Sequence, residues 1–346
     1  MSKQVTCEVL RDSLTAHTAV QAWRRLKPMS VEPEAVEVLH LKPKTAVYRL
    51  IGAGWDGSAV IAKRCRRTTA MVERMIYEEC LPGLPIPSLT CYGFLEDPAN
   101  YEFCWLFLEE ASGQKYSPQQ AEHRASAGYW LATVHTSCID QAVVDRLPHR
   151  GPGHYLQLLR SARALAVRHL TNPALLPEDV ATLRAIASQL DLAESHWDEV
   201  EAFCSTIPHT LVHGDFAIKN VGLRAHGTSL ALLVFDWENG GWGLPAVDLC
   251  QFNGHTLSPD LETYSAMREQ RGHKLEFWKV RRLSQYGNIF RLLEDIWWQA
   301  SCMASESYWH LAKPISYLRV YEGRLVEACQ AVNWTENFSR RRYADV

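Results

Sequence analysis

The sequence predicts an α+β fold in two lobes: a small antiparallel sheet with one key helix, then a larger, mostly helical part. Three observations lead there. Short β-branched and aliphatic runs, interrupted by one helical stretch, fill the first third of the chain. A polar connection with Gly113 and Pro118 follows them. Beyond it helical periodicity dominates, except for two short apolar runs within 210–236. At 346 residues the chain is long for one compact core and suits two.

Taken in order, Val5 to Leu26 has helical spacing and predicts an N-terminal helix or helix pair, ended by Pro28 and Pro33. Val36–Leu41, Ala46–Ile51 and Ala59–Lys63 then read as strands. Thr69 to Leu81 returns to helical period and stops at Pro82, Pro85 and Pro87. Two more strands are expected at Leu89–Phe94 and Phe103–Leu108, making five, with Glu96-Asp97-Pro98-Ala99-Asn100 as the turn between them. Gln119–Ser137 is an amphipathic helix, helices continue to about Phe203, and a helical remainder follows residue 236. This divides the chain into an N-terminal lobe 1–108, a hinge 109–117 and a C-terminal lobe 118–346.

Composition narrows the class. Hydrophobic residues make up 47% and charged residues 22%, as in a soluble globular protein. A net charge of −3 exerts no pull toward nucleic acid or anionic lipid, and no basic run exceeds Arg340-Arg341-Arg342. No apolar run is long enough for a membrane helix, and charged residues follow Met1–Cys7 where a signal peptide would have an apolar core. The ten cysteines are scattered singly without a Cys-x-x-Cys pair, which points to small core residues in a reduced, cytoplasmic setting.

The informative segment lies between the two apolar runs. After Thr210-Leu211-Val212 comes His213-Gly214-Asp215-Phe216-Ala217-Ile218-Lys219-Asn220, and after Leu230–Phe235 comes Asp236-Trp237-Glu238. An Asp, an Asn five residues on, and an Asp ending the next strand suit phosphoryl transfer. One carboxylate orients the attacking hydroxyl, while an amide oxygen and a second carboxylate hold Mg²⁺ against nucleotide phosphates.

Further upstream, Val60-Ile61-Ala62-Lys63 resembles the kinase strand whose lysine aims the α- and β-phosphates. Glu73 in the following helix is its expected partner, although helical phase leaves Glu78 and Glu79 in competition. Gly52-Ala53-Gly54-Trp55-Asp56-Gly57 matches a nucleotide-loop pattern to the letter, yet a strand follows it where that motif needs a helix. It is therefore expected to be a hairpin turn, with glycines supplying positive φ. The phosphate loop then falls one hairpin earlier, at Lys42-Pro43-Lys44-Thr45. Lys44 and the Thr45 hydroxyl stand in there for absent glycines.

These residues together resemble the aminoglycoside phosphotransferase and choline kinase-like family, small-molecule kinases with a bilobal protein-kinase-like fold. Supporting matches are Glu73-x-x-x-Tyr77, Leu108-Glu109-Glu110 at the hinge, Val134-His135 closing a helix, and Asp248-Leu249 after Gly243-x-Pro245. The resemblance runs from about Leu39 to Phe252 and implies Asp215 as catalytic base, Asn220 and Asp236 as Mg²⁺ ligands, and ATP (or GTP) as donor. Leu108, Glu109 and Glu110 at the hinge would take part in binding the nucleotide. His213 is expected to order the catalytic loop and Asp248 to anchor structure.

The departures are also informative. Ala217 stands where protein serine/threonine kinases carry a lysine, Trp237-Glu238 replaces Phe-Gly, and no Ala-Pro-Glu segment follows. A small hydroxyl acceptor is therefore expected instead of a protein. Lys219, just before Asn220, is a candidate to reach the γ-phosphate. In such a family the acceptor docks on helices after the metal-binding Asp. Glu238, Glu294, Asp295 and Trp298 are candidate contacts, of mixed character and too sparsely acidic for a polycationic aminoglycoside. A catalytically silent nucleotide-binding module is the competing class. Such proteins typically lose a base or metal ligand, and this chain keeps Lys63, Asp215, Asn220 and Asp236.

Overall fold

A computed structural model describes residues 8–226, 229–251 and 256–334. The start of the expected N-terminal helix at Val5, Phe252, and the Arg340–Arg342 run lie outside them. The chain forms two compact units. The first holds residues up to 126 with 137–148 and 213–241; the second holds 127–136, 149–212 and 242 onward.

The first unit contains β1 (Val9–Leu10), α1 (Thr18–Leu26), β2 (Ala35–Lys42), β3 (Thr45–Ile51), β4 (Val60–Arg66), α2 (Arg67–Met75), β5 (Cys91–Glu96), β6 (Phe103–Glu109), the start of α3 (Ala121–His135) and α4 (Gln141–Val144). Its strands make one antiparallel sheet in the order β1-β2-β3-β4-β6-β5. The sheet has six strands where five were expected, because Val9 and Leu10 are extended and pair with Glu37 and Val36. The helix begins only at Thr18, with the His17 ring accepting from the Ala19 amide at 3.3 Å. A two-residue strand is too short to show periodicity; its backbone bonds to β2 decide its conformation.

Strand alternation gives the sheet two different faces. One carries Val36, Leu50, Val60, Ala62, Trp105 and Phe107, which pack with Ala19, Val20 and Trp23 of α1. The Trp23 ring lies 5.2 Å from Phe107 and 5.6 Å from Tyr92, and truncating such a buried indole typically costs about 3–5 kcal/mol. The other face carries Lys63 and Cys65, the latter packed with Cys104 and with Ala70 of α2. The buried positions Ala70, Glu73, Ile76, Tyr77 and Cys80 keep helical spacing although the helix widens to a π turn over Ile76–Cys80. Gly52 and Gly57 have φ of +76° and +79° in the β3–β4 connection, as the hairpin-turn reading requires.

Residues 213–241 belong to this unit because they bond to it. Val221–His226 and Ser229–Val234 form an antiparallel hairpin in which Leu223 bridges to Gln114.

The second unit is mostly helical: α5 (Pro152–His169), α6 (Pro177–Ser195), α7 (Trp197–Cys204), α8 (Leu261–Gln270), α9 (Phe277–Ser301) and α10 (Tyr308–Ala331). Pro at the first turn starts both α5 and α6, and the Asp260 carboxylate caps α8 at 2.7 Å from the Thr263 amide. Tyr155 of α5 stacks on Phe290 of α9 at 4.2 Å. Buried Asp248 lies 3.3 Å from His135 Nε2, whose other ring nitrogen is 3.1 Å from the Tyr264 hydroxyl. Asp248 is thus a structural anchor. Among the described residues no helix is long and apolar enough to cross a membrane.

Candidate active site

Lys63 lies in β4 between Val47 of β3 and Leu106 of β6, and is 7% exposed. An ammonium buried this far needs compensating charge. Glu73 of α2, fully buried, and Asp236 both pair with it directly, and Glu238 Oε2 lies 3.6 Å away. Burial alone would depress the Lys63 pKa; the three carboxylates outweigh it and hold the ammonium well above the ordinary lysine range. For Glu73 burial dominates in the opposite sense and pushes the carboxyl up to about 7, against the pull of Lys63. Helical phase left three glutamates open, and burial selects among them. Glu78 is exposed and pairs with Arg74 at 2.7 Å, and Glu79 pairs with Arg146.

Asp236 adopts a left-handed backbone, φ 67° and ψ 59°, directly after the hairpin. Aspartate tolerates this region better than most side chains, and held strain of this kind clusters at functional sites. Trp237 behind it is fully buried, its ring 4.6 Å from that of His213.

His213 orders the loop as expected. Its Nδ1 accepts from the Asp215 amide at 3.2 Å and its Nε2–H donates to the Phe235 carbonyl at 3.0 Å, which fixes a neutral tautomer. Gly214 between them has φ +78°, and a Cβ there would sit 2.3 Å from the Asn239 carbonyl oxygen. Only glycine meets both conditions. Asp215 is 4% exposed; its Oδ2 accepts from Asn220 Nδ2 at 3.0 Å and lies 2.8 Å from Lys219 Nζ.

The donor chemistry suits a divalent cation of the Mg²⁺ type. Asn220 Nδ2 also donates to the Asp215 carbonyl at 2.9 Å, so the amide nitrogen is spent on Asp215 and the amide oxygen is left for another partner. The Phe235 amide donates to the Asn220 carbonyl at 3.0 Å, which extends the hairpin ladder and sets Asn220 beside Phe235-Asp236. An amide oxygen and a carboxylate are hard donors. Carboxylate oxygens of Glu73, Asp236 and Glu238 also lie within 4.8 Å of one another, so Glu238 joins the possible ligands.

The remaining expected residues fall into three groups. Lys44 is exposed and Thr45 half-buried in the β2–β3 turn. At the hinge Leu108 is buried, while the carboxylates of Glu109 and Glu110 are already engaged. Glu109 accepts from the Thr90 amide at 3.0 Å and pairs with Arg224 at 2.6 Å, and Glu110 pairs with Arg49 at 2.5 Å. Arg224 and Arg49 had no signal in the sequence, since each meets its partner through tertiary structure alone. In the second unit, Glu294 and Asp295 on α9 face Arg291 at 3.8 and 3.6 Å, and Trp298 is 54% exposed.

The sequence matches the phosphotransferase enzyme family over residues 47–276. Solved structures of similar fold include a spectinomycin phosphotransferase in complex with ADP and spectinomycin. It is 12% identical, covers 90% of this chain and 98% of its own, and has a TM-score of 0.58. An ethanolamine kinase of Plasmodium vivax is 14% identical, with 85% and 82% covered and a TM-score of 0.53. A macrolide 2′-phosphotransferase of type I is 17% identical, with 86% and 94% covered and a TM-score of 0.55. At these identities the likeness is one of fold, a kinase-like arrangement of antiparallel sheet and helices. No curated protein matches the chain. The chain belongs to the phosphotransferase enzyme family, as a phosphotransferase with an alcohol group as acceptor.

Proposed function

We propose that this protein is a Mg²⁺- and nucleoside-triphosphate-dependent kinase that phosphorylates a hydroxyl of a small molecule, with ATP, or else GTP, as donor. One observation carries the reading: Lys63 joins Glu73 on α2 to Asp236 at the end of the hairpin, within the unit that also holds Asp215. That is the set of groups phosphoryl transfer requires, an anchored ammonium for phosphate oxygens, carboxylate and amide oxygens for a metal, and a carboxylate base. The spectinomycin phosphotransferase of similar fold binds ADP, which agrees with a nucleotide donor.

In this reading Lys63 contacts the α- and β-phosphates and Glu73 fixes its position. Asn220 and Asp236, with Glu238 beside them, hold the metal, which when bound neutralises phosphate charge. Asp215 Oδ2 accepts the acceptor's hydroxyl proton while the acceptor oxygen bonds to the γ-phosphorus. The bond from that phosphorus to the bridging oxygen breaks, and the nucleoside diphosphate leaves. His213 and Asn220 hold Asp215 in place from both sides.

We infer a small hydroxylated acceptor, a sugar, nucleoside, amino alcohol or natural product, with a neutral or partly aromatic compound favoured over a polycation. Arg291 offsets one of the two negative charges of the acidic pair on α9, which leaves a poor trap for a polycation. An antibiotic-inactivating and a biosynthetic kinase share this chemistry. A screen of ATP and GTP consumption across hydroxylated metabolites and antibiotics, with an Asp236→Ala control, tests the proposal. Mg²⁺-dependent turnover lost in the control supports it; absence of both turnover and nucleotide binding overturns it.

A further inference from the structure

We propose that His40 contacts the donor's phosphate chain, presented to it by a β-bulge in β2; this rests on the nucleotide-dependent reading above. The argument begins with the register. Val38 lies opposite Tyr48 but His40 lies opposite Val47, so Leu39 is an extra residue on β2. Without the bulge His40 would share the face of Ala46 and Tyr48, the face that packs on α1. With it, His40, Val47 and Lys63 form one cross-strand row. Bulges re-aim side chains in this way beside active sites.

Two strand spacings put His40 and Lys63 about 10 Å apart with Val47 between them. A polyphosphate chain lying over Val47 bridges that gap. The ring also lies in the electrostatic field of Lys42, Asp236, Lys63 and Lys219, which include the groups proposed to gather the phosphates. Partial burial, assisted by Lys42, holds the imidazole below its ordinary pKa, which leaves a neutral ring with one N–H to donate. Among the described residues neither ring nitrogen has a hydrogen-bond partner. The turn that follows, Pro43-Lys44, contains no glycine, so its backbone cannot approach phosphates as a glycine loop does. A side-chain donor on the adjoining strand supplies what that turn lacks.

The test is calorimetric titration of the full chain, wild type and variants, with MgATP, MgADP and AMP, or the guanine series if the wild type prefers it. His40→Ala is expected to weaken MgATP binding about tenfold, the range for a hydrogen bond to a charged group. AMP should bind as before, and His40→Asn, which keeps an N–H donor, should recover part of the loss. Unchanged MgATP affinity in His40→Ala, or an equal loss for AMP and MgATP, overturns the role of His40 alone. A wild type that binds none of these nucleotides overturns the nucleotide reading and the role of His40 with it.

Discussion

Lys219 Nζ lies 2.8 Å from Asp215 Oδ2, four residues along the loop and just before Asn220, whose amide nitrogen donates to the same oxygen. The lysine side chain is 65% exposed, so this contact adds little to stability. Its charge lies beside the oxygen proposed to receive the acceptor's proton. Lys219→Ala should lower kcat about tenfold, the scale of one charge-assisted contact, with the melting temperature unchanged. Wild-type turnover in steady-state assays would remove Lys219 from the reaction. Asp215→Ala should slow turnover far more, by roughly 10²–10⁴-fold.

Glu73→Gln keeps the shape of the buried side chain but removes a charge from Lys63, which retains Asp236 and Glu238. The expected result is a tenfold or larger fall in kcat with a small drop in melting temperature. Glu73→Ala adds a cavity and should destabilise by about 3 kcal/mol or more. Thermal melts and single-turnover kinetics on both variants separate the two effects.

Gly214→Ala is expected to damage the loop through its backbone. The new Cβ would sit 2.3 Å from the Asn239 carbonyl at a φ of +78°. Strain of about 1–3 kcal/mol follows, and an ångström of movement at Asp215 would cost on the order of 10²-fold in rate. Chemical denaturation and kcat should both report it.

Acid sensitivity should come partly from His154. Burial, assisted by Arg150, lowers its pKa from 6.5 to about 4 in the fold. Above pH 6.5 the ring is neutral in folded and unfolded chains alike. Between pH 6.5 and 4 only the unfolded chain takes up the proton, so stability falls as pH drops through that window. The ring is partly open to water, which reduces the contribution to about 1–2 kcal/mol. Urea midpoints for His154→Gln should vary less with pH across this window than those of the wild type. An identical slope would contradict the assignment.

Much of this was legible in residue patterns, and what was not has physical causes. The strands β2 to β6 and the helix carrying Glu73 announced themselves by period, because each buries one face. The β1 strand did not, since its two residues are held by pairing alone. Asp215, Asn220 and Asp236 stood out by spacing, but the direct ion pair from Lys63 to Asp236 joins residues on distant elements and has no local signature. Likewise, alternation in β2 would have placed His40 on the wrong face, because one inserted residue reverses the count.

The left-handed turn at Asp236 bears on how that position is probed. Replacement by alanine deletes a charge and also forces an ill-suited residue into that conformation, so its phenotype mixes loss of the proposed metal ligand with backbone misfit. Asparagine accepts the same handedness and carries no charge. Asp236→Asn therefore isolates electrostatics, and the gap between the two substitutions measures how much of the damage is conformational.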